Sequence, residues 1–250
     1  MIDKAYVRFR ENLPDNQNTY AAADGFVQQG IPVVPYYGFG DLEKFGDIGP
    51  NVIVCGHIGD IRSALTMCGK PIPPNIDYPD HLRWMLGREI KECTLEEVRG
   101  LITRKFVKPV QQKQFTGFVW DPDDPRSRLN VAIYESDTPC LVADEIDIIS
   151  EWRCFIRHHK VVGVKHYKGD WGYAPTLGVL ERAVREGRGK MPDAYVLDLG
   201  VVREIVPFSE EDRQTTVLIE ANEGYAVGSY GLPSIIYARF LEARWDQLMR

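Results

Sequence analysis

Four features are missing from these 250 residues: a CxxC pair, an apolar run of bilayer length, a GxGxxG or Walker-type loop, and a GxSxG elbow. Their absence excludes in turn a zinc ribbon or thioredoxin-like redox motif, a membrane-spanning helix, the two commonest phosphate-cradling loops, and the serine nucleophile of the α/β-hydrolases. Histidine is scarce too, at five residues. Two of these, His158 and His159, are adjacent and face opposite ways on extended chain, which argues against a zinc site. Basic charge is not in excess: the net charge of -6 provides no field for general nucleic-acid or membrane-surface binding. The start, Met1-Ile2-Asp3-Lys4, has no apolar leader. The five scattered cysteines read as reduced, structural thiols, so a cytoplasmic protein is expected. There is no internal repeat and no low-complexity tract.

What is present is alternation of helix and strand signals. Ala5–Phe9, Val33–Tyr37 and Asn51–Gly56 read as strands. Asn18–Gln29, with Asn18 as N-cap, and Asp60–Cys68 read as helices, closed by Gly30 and Gly69. This is an α/β pattern over about the first 90 residues. Gly56-His57-Ile58-Gly59-Asp60, between a strand and a helix, reads as a tight turn rather than a nucleotide loop. The prolines at 71, 73, 74 and 79 make an extended connection and a candidate boundary, and Asp80 opens a short helix. Thr94-Leu95-Glu96-Glu97 is a capping box, with Leu95, Val98, Leu101 and Ile102 at helical spacing. Strands are expected at 104–110, 131–134, 140–142, 151–156 and 161–169, with 111–120 as a polar turn running into a further strand and 121–128 as a loop. Helices are expected at Leu177–Glu186 and Ser234–Met249, the second carrying an apolar face of Ile236, Phe240 and Leu248.

The chemistry concentrates near the end. Tyr195–Val202 and Thr216–Asn222 read as strands joined by a charged loop. Asp198 lies on the first; Glu220 and Asn222 share a face of the second, with Val217, Ile219 and Ala221 on the other. A single acid in a strand usually faces solvent. Two apolar strands that each carry one mid-run require a compensating cation, because burying a lone carboxylate is costly. Two carboxylates and an amide are hard oxygen donors of the kind Mg²⁺ takes beside phosphate. Lys108, Arg153 and Lys165 also fall within strands and are the cationic candidates. Their plain alternative is salt bridges to Asp198 and Glu220. Lys113 lies in a polar turn.

In their order, these segments resemble the ATP-grasp superfamily from about Thr94 to Tyr230. The Arg and Lys residues further resemble a small bacterial and phage clade marked by one Arg and two Lys. The resemblance implies an α/β and α+β protein: a Rossmann-like pre-ATP-grasp domain over 1–90, then an ATP-grasp domain over 91–250. The latter would divide into a nucleotide-binding subdomain (91–150) and a metal-binding subdomain (151–250). It implies that Lys108 and Lys113 bind phosphates, that Glu145, Ile146 and Asp147 form the hinge meeting adenine, and that Glu151 holds ribose. Arg153 and Lys165 would be catalytic, Lys165 also touching phosphate, while Asp198, Glu220 and Asn222 hold Mg²⁺. The implied activity is joining a carboxylate to an amine at the expense of ATP, with small-molecule or peptide substrates and no nucleic-acid or membrane partner. A kinase on the same fold and a non-catalytic nucleotide-binding module are the alternatives.

Overall fold

The computed structural model describes residues 1–111, 114–204 and 213–250. The chain divides into two compact units: Met1–Arg83 with Ile149–Arg250, and Trp84–Ile148.

The first unit begins with strand β1 (Lys4–Arg10), the short β2 (Leu13–Pro14), helix α1 (Gln17–Gln28), β3 (Val33–Tyr36), α2 (Phe39–Leu42), β4 (Val52–Cys55) and α3 (Ile58–Met67). β3 and β4 both pair in parallel with Ala5, Tyr6 and Val7 of β1, so they flank it on opposite sides. This is the α/β pattern expected. The start of α1 differs from the expectation. Asn16, in extended conformation, is the N-cap, and its side chain accepts from Asn18 N and Thr19 N. A run of candidate capping residues hides which one precedes the helix, and Asn18 is thereby released for another partner.

The same unit continues after the excursion of the chain with β9 (Ile148–Arg157), β10 (Lys160–Gly169), α6 (Leu177–Glu186), β11 (Ala194–Glu204), β12 (Arg213–Glu223) and α7 (Ser234–Met249). The strands order as β10-β9-β11-β12. One core binds both parts. Phe26 of α1, Phe155 of β9, Val196 of β11 and Phe240 of α7 share a buried cluster with β1 and β4. Phe155 and Phe240 meet edge to face with centroids 5.4 Å apart. Helices α1 and α7 approach so closely at Gly25 that a Cβ there would lie 2.0 Å from the Ser234 carbonyl oxygen. The proline-rich connection is more than a boundary: Asp77 forms an antiparallel bridge with Ala221 of β12.

The second unit is the antiparallel sheet β5-β8-β6-β7: β5 (Ile90–Thr94), β6 (Lys105–Pro109), β7 (Phe118–Trp120) and β8 (Pro139–Ala143), with α4 (Leu95–Arg99) and α5 (Pro125–Ala132). Leu95, Val98, Val107, Trp120, Val131 and Cys140 form its core. The capping box at Thr94 and Glu97 is present. Ile102, expected on the buried face, is 88% exposed because α4 ends at Arg99. The expected loop holds at 121–124, but α5 takes the place of its second half and of the strand expected at 131–134. Asp124 caps this helix and Pro125 occupies its first turn, so β-branched Val131 and Ile133 are a misleading strand signal. All five cysteines are free thiols. Among the described residues no helix is long and apolar enough to cross a membrane.

Candidate functional site

The site is built on one face of the sheet β10-β9-β11-β12. Counting back from the two-residue turn at His158 and His159 would set Arg153 opposite Val164. Two one-residue register shifts in β10 change this: Lys165 stands opposite Arg153, and Lys168 opposite Glu151. Such bulges re-aim side chains and occur beside active sites. A third shift lies in β12, between the pairs Asp198–Glu220 and Leu199–Leu218, leaving Ile219 as the extra residue. The expected alternation is therefore broken. Leu218 shares the core face with Ala221, while half-buried Ile219 sits at the bulge.

Arg153 and Asp198 form the centre. The Arg153 Nε donates to Asp198 Oδ1 at 2.8 Å and Nη2 donates to Oδ2 at 2.6 Å. Their side chains are 10% and 3% exposed. Nη1 donates to the Gly228 carbonyl at 3.4 Å. Asn222 Nδ2 donates to Glu220 Oε1 at 2.8 Å and to Asp198 Oδ2 at 3.3 Å. A guanidinium, two carboxylates and an amide thus form one hydrogen-bonded row across β9, β11 and β12. Burial pushes the Asp198 carboxyl above its ordinary value, and the nearby Glu220 adds to this, while Arg153 and Asn222 pull it down. Burial also works against the Arg153 charge, but Asp198 outweighs it and holds the guanidinium protonated.

Glu151 accepts from Lys168 Nζ at 2.5 Å, with side chains 13% and 72% exposed. Lys168 is not among the sequence candidates, and only the bulge at Tyr167 brings it across. Lys165 is half-buried and makes no ion pair among the described residues. The row can take a divalent cation: two carboxylates with one amide carbonyl are within reach of one another, although the amide must present oxygen instead of Nδ2. No group of three or more His, Cys, Asp or Glu with metal-ligand geometry occurs among the described residues; the third donor here is an amide.

The remaining candidates belong to the second unit. Lys108 lies half-buried in β6, opposite Leu141 of β8. The segment Asp144–Asp147 follows β8 without strand pairing. Lys105 is ion-paired with Asp144, and Arg104 Nε donates to Glu145 Oε2 at 3.0 Å. Ile146 is half-buried and Asp147 exposed. The side chain of Glu145 is thus turned to Arg104. Lys113 and the charged loop between β11 and β12 lie outside the described residues.

Residues 85–240 match the model of an ATP-grasp domain family, the second family of the clade named for one arginine and two lysines. No curated protein matches the chain in sequence. Among solved structures it resembles a D-alanine–D-alanine ligase from Bacillus anthracis complexed with ATP (12% identity, 96% of this chain and 95% of that one, TM-score 0.57). It also resembles a RimK domain ATP-grasp protein from Sphaerobacter thermophilus (13% identity, 95% and 99% covered, TM-score 0.58). A third is the macrocyclase MdnC bound with precursor peptide MdnA from Microcystis aeruginosa (11% identity, 95% and 99% covered, TM-score 0.55). At these identities the likeness is one of fold, and the fold is the mixed α/β ATP-grasp fold.

Proposed function

The chain belongs to the second ATP-grasp family of the clade named for one arginine and two lysines, and on that premise we propose that it is an ATP-dependent carboxylate–amine ligase working through an acyl phosphate with Mg²⁺. The observation that carries this reading is the buried row Arg153, Asp198, Asn222, Glu220. Keeping this much polar and ionic chemistry inside a sheet costs stability unless it serves a ligand.

ATP supplies the phosphoryl group that activates the carboxylate, and Mg²⁺ neutralises phosphate charge. Asp198, Glu220 and Asn222 hold the metal. Arg153 has five N–H groups in a fixed plane. Nε and one hydrogen of Nη2 bind Asp198 side-on, and one hydrogen of Nη1 binds Gly228. One hydrogen on each Nη remains, and together they form a fork suited to a phosphoryl or acyl-phosphate oxygen pair. Lys165, opposite Arg153, adds positive charge on the same face. Lys108 and Lys113 bind phosphates, and the backbone of Glu145, Ile146 and Asp147 meets adenine. Glu151 binds ribose after exchanging its exposed partner Lys168. Residues 1–90 serve as the pre-ATP-grasp domain and 91–250 as the ATP-grasp domain, with the nucleotide subdomain at 91–150 and the metal-binding subdomain at 151–250.

Two of the structural neighbours are named for D-alanine and for a precursor peptide, and we place the carboxylate and amine of this chain within that span. The test is incubation with ATP, Mg²⁺ and a pool of amino acids, peptides and small carboxylates, with products followed by mass. A condensed product with ADP supports the ligase. A stable phosphorylated product indicates a kinase, and bound, uncleaved ATP a nucleotide-binding module; either result refutes the ligase.

A further inference from the structure

Arg153 is held from a third direction. The ring of Tyr230 lies over its guanidinium, with the Arg153 Cζ 4.4 Å from the ring centroid. Tyr230 in turn rests against Tyr167, centroids 5.0 Å apart. Its backbone has φ +44°, and Gly231 follows at +74°. A bulky side chain is seldom found in the left-handed region unless its surroundings hold it there. Those surroundings come from the other end of the chain. Asn18, in the first turn of α1, accepts from Ser229 N at 2.9 Å and from Ser229 Oγ at 3.3 Å. Leu232 N donates to Ser229 O at 2.8 Å and closes the turn. Gly228 is where the parts converge. A Cβ there would lie 3.2 Å from Tyr230 Cε2, 3.5 Å from Arg153 Nη1 and 3.6 Å from Asn18 Oδ1.

We infer that Tyr230 and Asn18 are positioning residues for Arg153. Helix α1 fixes the loop, the loop fixes the Tyr230 ring, and the ring fixes the plane of the guanidinium. In that plane Nε and Nη2 meet Asp198, and one hydrogen on each Nη stays available. A salt bridge alone leaves the guanidinium free to tilt about the carboxylate, and an aromatic face removes that freedom. The role of the fork in catalysis rests on the ligase reading; the immobilisation of Arg153 does not.

The test uses the full chain with Tyr230→Ala, Tyr230→Phe and Asn18→Ala, and two readouts. The first is the ¹⁵Nε–¹H resonance of Arg153 without nucleotide. Wild type and Tyr230→Phe should show one slowly exchanging, Asp198-shifted signal. Tyr230→Ala and Asn18→Ala should broaden it or speed its exchange about tenfold. The second is ATP turnover with the substrates found by mass. In Tyr230→Ala kcat should fall about tenfold with KM for ATP little changed, and Tyr230→Phe should restore it, since only the ring is needed. An Arg153 signal unchanged in Tyr230→Ala overturns the inference, as does Tyr230→Phe behaving like Tyr230→Ala. If wild type turns over no ATP while the Arg153 signal responds as described, the ligase reading fails and the positioning stands.

Discussion

Removing Arg153 should expose the cost that it offsets. Asp198 is 2% exposed, and Arg153 donates two of the hydrogen bonds to its carboxylate. In Arg153→Ala the carboxylate keeps, among the described residues, the long bond from Asn222 and the repulsion of Glu220. Breaking one side of a buried pair costs about 3–5 kcal/mol. At about 2–4 °C per kcal/mol for a chain of this size, Tm should fall by about 6–20 °C at neutral pH. The pH dependence separates lost pairing from lost packing. A carboxyl raised by burial binds its proton more tightly in the folded than in the unfolded chain. Its contribution is therefore most favourable in acid and diminishes as pH rises from the ordinary carboxylate value through the raised one. Without Arg153 to pull it down, the upper edge of that window moves higher. The Tm gap between variant and wild type should then narrow on acidification toward the ordinary carboxylate range, and Arg153→Met with Asp198→Asn should recover most of the loss at neutral pH. Calorimetry across pH measures both. A gap below about 1 kcal/mol at neutral pH, or one that does not narrow in acid, would refute the reasoning.

Other outcomes are open to direct measurement. Glu220→Ala with Asn222→Ala should abolish ATP turnover and the stabilisation given by Mg²⁺ with ATP, about 2.7 kcal/mol for a ligand at a hundred times its Kd and read as a rise in Tm, while circular dichroism stays that of wild type. Gly25→Ala should lower stability by about 1–3 kcal/mol or more in denaturant unfolding, because its methyl group meets the Ser234 carbonyl of α7. Thr94→Ala should cost about 1 kcal/mol, seen as faster hydrogen exchange in α4. Native-state alkylation should reach half-buried Cys68 and Cys93 before Cys55 and Cys140, whose thiols burial pushes up to about 12.

The elements that sequence patterning locates well are those with strong end signals. Leu177–Glu186 with Gly187, and Ser234–Met249 behind Pro233, agree with the structure residue for residue. The acid-bearing strands and their shared site face are likewise legible, because Glu220 and Asn222 sit two apart on extended chain. Three kinds of information are not. Bulges change which residue faces which, so the pairs Lys165–Arg153 and Lys168–Glu151 follow only from register. Short helices capped by Asp and Pro imitate loops, and α5 reads as one for that reason. Contacts between residues two hundred positions apart, such as Asn18 with Ser229, leave no local trace in either segment.

The close seating of α1 against α7 also bears on how the chain is made. Residues 84–148 are contiguous and complete their own antiparallel sheet from local pairings. The larger unit keeps α1 without its α7 neighbour until residues 234–249 have been synthesised. During translation the unit at 84–148 is therefore able to finish before the larger one, while the α1 surface stays open to solvent or chaperones until residues 234–249 follow. Slowing synthesis just before Ser234 should prolong that exposed state without disturbing the inserted unit.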